Sequence, residues 1–352
     1  MMITLTITEN EENQRLDRFL KKYLRNAPLS YVYKAIRKDV KLNGRRAKIS
    51  DLLSAGDEVA LYVSDAQMAD FRSQKPEMKA KKQFQVAYED ENILIVEKPF
   101  GLLTHGDSVE KKNTLANQVM GYLSDQGAYV PGQEKTFVPS PVNRLDRNTT
   151  GLVLFGKKLM ALQGLNFMIR EKGYISKYYL TIVKGELAAE LVLRDRMTKD
   201  WRSNTVRVVS GDAADGGADD GAKLMETTAR PLASAHGYSL VEVELITGRT
   251  HQIRAHLAQA GFPVIGDPKY GSMTVNQKIE KRFGLSTQYL HANRLLFRRG
   301  EGELAYLGGT EVCASLPRNL DDIKNALFGA GGPAGPHGQT DRRASAAPRG
   351  RN

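Results

Sequence analysis

The chain has 352 residues, of which 41% are hydrophobic, and a formal net charge of +11 at pH 7. This length allows two domains of roughly 100–200 residues each, and the apolar content argues against disorder throughout. The single cysteine, Cys313, excludes an internal disulfide and a zinc site built from several cysteines. The first residues lack the basic and apolar regions of a signal peptide, and no apolar run reaches the roughly 18 residues of a membrane helix. We therefore expect a soluble cytoplasmic protein with no membrane partner.

Positive charge is concentrated near the amino terminus. Residues 15–63 contain twelve Lys or Arg against five Asp or Glu, which gives this segment a net charge of +7. Such an excess favours a polyanionic partner, RNA above all. The alternative is a surface that serves solubility, and net charge alone does not decide between the two.

The first elements predicted are a strand segment within 1–14 and a helix over 15–24, where apolar side chains recur at the spacing of one helical face. Pro28 breaks this pattern, and Ser30 is predicted to cap a second helix that ends near Lys38. Residues 40–45 predict a strand that enters an Asn43-Gly44 turn, and 59–63 predict another strand. Together, residues 15–63 are predicted to form a compact unit of two helices and a small sheet.

This unit resembles the S4 RNA-binding domain. The resemblance is carried by 15–20 (Arg-Leu-Asp-Arg-Phe-Leu), 40–44 (Val-Lys-Leu-Asn-Gly) and 55–59 (Ala-Gly-Asp-Glu-Val). It implies that basic side chains on paired helices bind RNA phosphates, which fixes position without reading bases. The candidate contacts are Arg18, Lys22, Arg37, Lys38 and Arg45.

Residues 64–82 are polar and rich in lysine, and they are predicted to be a linker. A larger unit is expected over 83–328, and the Gly-, Pro- and Arg-rich segment 329–352 is expected to be a disordered basic tail. The pattern in the larger unit predicts strands at 84–88, 93–98, 151–156, 178–183, 226–231 and 238–245, and helices at 113–124, 158–171, 250–261 and 276–283. Strands outnumber helices and do not alternate with them regularly, so the fold class is predicted to be α+β with a mixed sheet flanked by helices.

A polar loop places Asp146 between Arg144 and Arg147, directly before the apolar strand predicted at 151–156. Two neighbouring cations favour the ionised form of a carboxylate. A carboxylate held on a loop by a rigid strand can act as a nucleophile, a base or a metal ligand. The alternative is an Arg–Asp pair that only stabilises the loop, and spacing alone favours that interpretation.

The order of residues in this loop is similar to the signature of RluA-type pseudouridine synthases. Residues 143–152 (Asn-Arg-Leu-Asp-Arg-Asn-Thr-Thr-Gly-Leu) match the family's His-Arg-Leu-Asp-x-x-Thr-Ser-Gly-Leu, with Asn143 in place of His and Thr150 in place of Ser. Further matches follow in the family's order at 95–105, 177–185, 248–257, 265–271 and 290–292. The resemblance covers about residues 83–316 in addition to the basic amino-terminal unit.

This resemblance implies that the protein isomerises uridine in RNA to pseudouridine, with Asp146 as the catalytic carboxylate and with no metal or organic cofactor. It leaves open whether Asp146 attacks C1′ of the ribose or removes the C2′ proton. Tyr179 is implied as the active-site tyrosine, Arg254 as the arginine that pairs with Asp146, and Arg144 as the wedge or clamp of a flipped nucleotide. The remaining candidates for RNA contact are Arg147, Arg249, Lys98 and His105.

Several alternatives stay open beside this interpretation. An aromatic residue on an apolar strand, such as Tyr179, is usually part of the core, and Tyr178 should point to the opposite face of the sheet. His251 and His256 are five residues apart, which does not suit a zinc site on one helix. The expected substrate is bacterial large-subunit (23S) ribosomal RNA, with tRNA as the alternative. A non-catalytic RNA-binding ribosome-assembly factor is the other hypothesis, and a monomer is expected.

Overall fold

The computed structural model describes residues 2–8, 11–72, 80–130, 136–200, 205–209 and 222–329. The described chain belongs to two compact units. The first contains residues 1–145, 153–174 and 299–308, and the second contains residues 146–152, 175–298 and 309–352. Apart from Gly329, the predicted basic tail lies outside the described residues.

Both compact units contain helices. They are α1 (Leu16–Tyr23), α2 (Leu29–Lys38), α3 (Asp65–Arg72), α4 (Leu115–Asp125), α5 (Leu159–Arg170), α6 (Gln252–Gln259), α7 (Met273–Phe283) and α8 (Arg318–Phe328), with a 3₁₀ helix at Gly302–Leu307. The strands are β1 (Met2–Thr6), β2 (Val40–Leu42), β3 (Arg45–Arg46), β4 (Glu58–Tyr62), β5 (Gln85–Glu89), β6 (Ile93–Lys98), β7 (Ser140–Pro141), β8 (Thr150–Gly156), β9 (Ile175–Lys184), β10 (Leu191–Asp200), β11 (Thr205–Val209), β12 (Lys223–Ala235), β13 (Tyr238–Leu245), β14 (Leu290–Phe297) and β15 (Glu311–Cys313).

In the first unit, β1, β4, β2 and β3 form an antiparallel sheet in that order. The apolar faces of α1 and α2 bury Leu16, Phe19, Val32 and Ile36 in one cluster. The spacing seen in the sequence therefore packs as expected for an amphipathic helix pair. The predicted cap at Ser30 is wrong, because α2 begins at Leu29 and Pro28 occupies the cap position. Proline preorganises this position, since its fixed φ suits the residue before a helix.

A helix, α3, forms within the segment predicted as a linker. Its Met68 and Phe71 are buried in the same apolar cluster as α1 and α2. The backbone N–H of Asn26 also donates to the carbonyl oxygen of Phe71 at 3.1 Å. The packed part of the amino-terminal segment therefore continues to Arg72, beyond the predicted boundary at 63.

The second unit contains the strands β11, β10, β12, β13, β9 and β14 as neighbours in that order. These neighbours pair antiparallel, whereas Thr150 and Gly151 of β8 pair in parallel with β14. This mixed sheet with segregated helices confirms the α+β class. Helix α6 follows β13, and α8 contributes its buried face to a cluster on β9 and β13.

Candidate active site

Asp146 lies at the amino-terminal side of β8 and belongs to the second unit. Nη1 of Arg254 donates to Oδ2 of Asp146 at 2.9 Å. The Arg254 side chain is only 5% exposed, whereas that of Asp146 is 28% exposed. The hydrogen bond therefore holds the Asp146 carboxylate at a fixed place while leaving part of it open to solvent, where a substrate can reach it.

Arg254 projects from α6 and is held from its other side by Asp267. Nε and Nη2 of the guanidinium donate to the two carboxylate oxygens of Asp267 at 2.6 and 2.8 Å. Asp267 is fully buried and also accepts the backbone N–H groups of Lys269 and Tyr270 at 2.8 and 3.1 Å. A planar guanidinium suits such a fork, so one arginine is oriented by Asp267 and still reaches Asp146.

The electrostatics of the Arg254–Asp267 pair favour the charged forms of both side chains. Burial alone would raise the pKa of Asp267, but the hydrogen bonds and charge of Arg254 outweigh it and lower that pKa below its ordinary value. Burial alone would lower the pKa of Arg254, but Asp267 and Asp146 together raise it. The guanidinium is therefore a permanent cation beside Asp146.

The turn before Asp267 depends on Gly266. This residue has φ of +74°, and a Cβ there would lie 2.2 Å from the carbonyl oxygen of Thr287. Only glycine fits such a close approach in the left-handed region. The Ile-Gly-Asp segment thus allows the Asp267 carboxylate to face α6.

His251 caps α6 from the left-handed region, with φ of +54°. Its Nε2 lies 3.9 Å from Oδ2 of Asp146, and its Nδ1 lies 3.0 Å from the hydroxyl of Tyr270. The same hydroxyl accepts the backbone N–H of Val206 at 2.8 Å, so its own proton is free to be donated to Nδ1. Donation of that proton to Nδ1 would leave the proton of neutral His251 on Nε2, the nitrogen that faces Asp146. Burial lowers the pKa of His251 despite the opposing charge of Asp146, which favours the neutral form.

Tyr179 lies on β9 and is buried. Burial first, and then the negative charge of Asp146, raise the pKa of its phenol well above the ordinary value. The phenol is therefore neutral at physiological pH and close enough to interact electrostatically with the Asp146 carboxylate. The adjacent Tyr178 occupies the other face of the sheet, where the Arg294 guanidinium stacks 3.7 Å from its ring. The alternation expected from a strand therefore distinguishes the two tyrosines.

Comparison with known proteins assigns this chain to a family. Residues 92–259 match the family model described as RNA pseudouridylate synthase. Ribosomal large subunit pseudouridine synthase C of Escherichia coli is 31% identical over 328 residues, which cover 92% of this chain and 97% of that protein. The protein of the same name from Vibrio vulnificus is 33% identical over 328 residues, covering 91% and 95% respectively. The chain belongs to the RNA pseudouridylate synthase family.

A solved structure of Human RNA Pseudouridylate Synthase Domain Containing 4 is also similar. It is 22% identical, with a TM-score of 0.48, and the match covers 67% of this chain and 89% of the human one.

Two residues of this pseudouridylate synthase depart from the family signature, and the side chain of each makes a hydrogen bond. Asn143 accepts the backbone N–H of Leu154 through Oδ1 at 2.9 Å, within the first unit. The Thr150 hydroxyl lies 2.8 Å from Nδ1 of His291, within the second unit. His291 is buried, and burial lowers its pKa to about 4, so it is neutral. These contacts give His291 a structural place rather than a contact with RNA.

The predicted RNA-binding residues are mostly exposed. Arg144 and Arg147 are exposed, and Arg249 is exposed while its Nε donates to the carbonyl oxygen of Leu224 at 3.2 Å. His105 is partly buried, and burial together with the charge of Arg144 lowers its pKa. The basic side chains Arg18, Lys22, Arg37, Lys38 and Arg45 are all exposed.

Lys98 is the exception among the predicted RNA contacts. It is 1% exposed, and its ammonium donates to the carbonyl oxygens of Pro99 and Leu102 at 3.0 and 2.8 Å. A buried ammonium bound to two carbonyls fixes the turn after β6 and presents no charge to RNA. Among the predicted RNA contacts, burial therefore argues against Lys98 alone.

Sequence reasoning passed over Asp267, His251 and Tyr270. Asp267 and Tyr270 lie within the matched segment 265–271, but nothing in their spacing predicted that they face α6. His251 was considered only as a metal ligand. Across the described ranges, the structure contains no group of three or more His, Cys, Asp or Glu side chains that could hold a metal ion. Within the same ranges, no helix has the length and apolar character required to span a membrane.

Replacing Asp267 with Asn should lower kcat by about 10²-fold. Arg254 loses one of its two hydrogen bonds to this side chain, and Asp146 therefore loses its fixed position. The KM for RNA should change far less, since Asp267 is buried. Steady-state kinetics on an RNA substrate measures both values. Asp195→Asn is the matched control, because Asp195 pairs with His256, another residue of α6, at 3.0 Å. An Asp267→Asn variant with the kcat of the wild type would contradict this role.

Proposed function

We propose that this protein isomerises uridine to pseudouridine in large-subunit ribosomal RNA, with Asp146 as the catalytic carboxylate. Family membership supports the reaction, and the names of the relatives support the RNA class. The observation that carries the assignment of Asp146 is its partly exposed carboxylate, held 2.9 Å from the buried guanidinium of Arg254.

The reaction exchanges one bond of the uracil for another. The N1–C1′ bond breaks, and its electrons leave with the uracil. The ring turns and C5 forms a new bond to C1′. A proton then leaves C5 and a proton is gained at N1, so product and substrate have the same composition. Asp146 can act in either of two ways. It can attack C1′ and be displaced when C5 bonds to C1′, or it can remove the C2′ proton to give a glycal and return that proton as C5 bonds to C1′; family resemblance favours the glycal route.

The surrounding groups suit this chemistry. Arg254 orients Asp146 and places a cation beside its carboxylate until the ribose arrives. The neutral phenol of Tyr179 offers a plane for stacking on uracil, and its hydroxyl can pass a proton during the loss of the C5 proton. Because its raised pKa keeps it protonated, the phenol has to hand its own proton on as it accepts one.

The target base has to leave its stack before it reaches Asp146. Flipping a base out of folded RNA costs a few kcal/mol, which contacts to the displaced strand must offset. We assign this role to Arg144, with Arg147 and Arg249 as further contacts to the RNA backbone. All three guanidinium-bearing residues are exposed, as such contacts require.

The S4-like segment supplies a second region for RNA. Arg18 and Lys22 lie one turn apart on α1, and burial followed by the charge of Arg18 lowers the pKa of Lys22. Two like charges one turn apart repel each other, and this repulsion is relieved when a phosphate lies between them. The segment therefore adds sequence-independent affinity for a large folded RNA.

Replacing both Arg18 and Lys22 with Gln should reduce the slope of log K against log salt by about 1.5, as expected for the loss of two phosphate contacts. Filter-binding titrations with large-subunit ribosomal RNA at several salt concentrations measure that slope. Arg170→Gln/Lys172→Gln is the control, because it removes two exposed cations, one at the end of α5 and one two residues farther on. Equal slopes for the two double variants would contradict binding by the S4-like segment.

The proposed function is tested by incubating the purified protein with transcripts of large-subunit ribosomal RNA and, separately, with tRNA. Pseudouridine is then located by carbodiimide modification and primer extension. We expect discrete modified positions in the ribosomal RNA. Modification confined to tRNA would overturn the substrate class, and absence of modification in both RNAs would overturn the proposed function.

A further inference from the structure

A second functional side chain shares the strand face of Tyr179. Lys177 lies two residues before Tyr179 on β9, so the two side chains project from the same face of the sheet. Lys177 is only 6% exposed. A lysine is rarely buried to this extent unless its ammonium is paired.

The ammonium of Lys177 has no hydrogen-bond or ion-pair partner among the residues that the structure describes. The other buried cations differ. Lys98 donates to two carbonyls, Arg254 binds two carboxylates, and Arg294 binds Glu242 and Glu311. Burial lowers the pKa of Lys177. Keeping an unpaired ammonium in such surroundings costs free energy, so its retention requires a benefit outside the free protein.

The position of the ammonium indicates where a ligand would approach. Its Nζ lies 4.0 Å from the place that a Cβ would occupy on Gly248. Gly248 and the next residue, Arg249, are exposed on the loop that leads into α6. Apart from Nζ, no heavy atom of the described residues outside the loop lies within 4 Å of that place, so the ammonium borders open space beside residue 248. An anion placed there would meet the Lys177 ammonium, and Arg249, the next residue of the loop, is an exposed second cation.

We propose that Lys177 and the loop at Gly248 and Arg249 form a binding subsite for one phosphodiester of the substrate RNA. This inference rests on the proposed function, since it assigns the polyanion as the substrate strand. A phosphodiester suits the subsite because it supplies the missing countercharge. It can also accept from the ammonium and the guanidinium at once. A neutral uracil carbonyl would pair the ammonium without compensating its charge.

The test compares Lys177→Met and Lys177→Arg, each combined with Asp146→Asn so that turnover does not alter the bound RNA. Binding of large-subunit ribosomal RNA is titrated at several salt concentrations. Thermal unfolding is measured for the single variants without RNA. Lys184→Met is the matched control, because Lys184 lies exposed on the same strand, seven residues farther on, and therefore projects from the opposite face.

We expect Lys177→Met to weaken binding about tenfold at 100 mM salt and to reduce the salt slope by about 0.7–0.9, which is the loss of one phosphate contact. Lys177→Arg should keep the slope, and Lys184→Met should change neither quantity. Free Lys177→Met protein should unfold at the same temperature as the wild type or at a higher one, because a costly buried charge is gone.

Three results would overturn the proposal. An unchanged salt slope for Lys177→Met would show that the ammonium does not bind a phosphodiester. A Lys177→Met protein that unfolds at a lower temperature, or fails to fold, would show that the ammonium stabilises the protein internally. Equal slopes for Lys177→Met and Lys184→Met would show a general effect of net charge. None of these results depends on whether ribosomal RNA is modified, so failure of the proposed function is recognised separately.

Discussion

Asp146→Asn should reduce pseudouridine formation by about 10⁴-fold or more while changing the Kd for RNA by less than about threefold. The substitution keeps the size of the side chain but removes its negative charge and its basicity. Neither attack on C1′ nor removal of the C2′ proton is then possible. Binding should survive, because phosphate contacts come from cations and not from a carboxylate, which repels RNA. Single-turnover kinetics and filter binding with the same RNA measure the two quantities.

The alternative of a non-catalytic RNA-binding factor makes the opposite prediction for this variant. A protein that only binds RNA should bind more tightly when a carboxylate is removed from its RNA-facing surface, and it should form no product before or after the change. Asp195→Asn again serves as the control, since Asp195 pairs with His256 and not with Arg254. Product formed at equal rates by wild type and Asp146→Asn would remove Asp146 from the mechanism.

Arg254→Gln should affect both stability and catalysis. Asp267, fully buried, would keep two backbone N–H donors but lose its guanidinium partner. Breaking a buried pair by removing one member typically costs about 3–5 kcal/mol. Asp146 would also lose its orienting donor, so kcat should fall by about 10²-fold even at a temperature where the variant is folded. Denaturant unfolding gives the first quantity and single-turnover kinetics gives the second.

The double variant Arg254→Gln/Asp267→Asn distinguishes the two effects. Neutralising Asp267 removes the unpaired buried charge, so a large part of the lost stability should return. Activity should not return, because nothing then orients Asp146. A double variant that recovers kcat would contradict the orienting role of Arg254. One that gains no stability over Arg254→Gln would contradict the buried-charge explanation.

Hydropathy patterns predicted the elements whose burial is regular. Helix α1 has a single apolar stripe, with its charged residues off that stripe, and β8 is an uninterrupted apolar run. Both form as expected. Strand β10 was missed because its sequence, Leu-Val-Leu-Arg-Asp-Arg-Met-Thr-Lys-Asp, contains more charged than apolar residues. It forms because β11 and β12 pair with it, one on each side. The hydropathy pattern of a single segment does not indicate such pairing.

The candidate site was predictable as far as motifs extend. Asp146, Tyr179 and Arg254 were predicted from residue order, and the structure places all three in one unit. What motifs did not indicate is which residues support them. Asp267 reaches Arg254 only because the Gly266 turn directs it there, and His251 faces Asp146 because it caps α6 from the left-handed region. Lys98 shows the reverse case, since a basic residue in a motif proved to be buried.

Release of the C5 hydrogen tests the central claim most directly, because the isomerisation is the step in which C5 exchanges its hydrogen for C1′. Large-subunit ribosomal RNA made with uridine tritiated at C5 is incubated with excess wild-type protein or excess Asp146→Asn protein. We predict that the wild type releases tritium to water in amounts equal to the pseudouridine formed, and that Asp146→Asn releases none. Equal release by both proteins, or pseudouridine formed without release, would contradict the account.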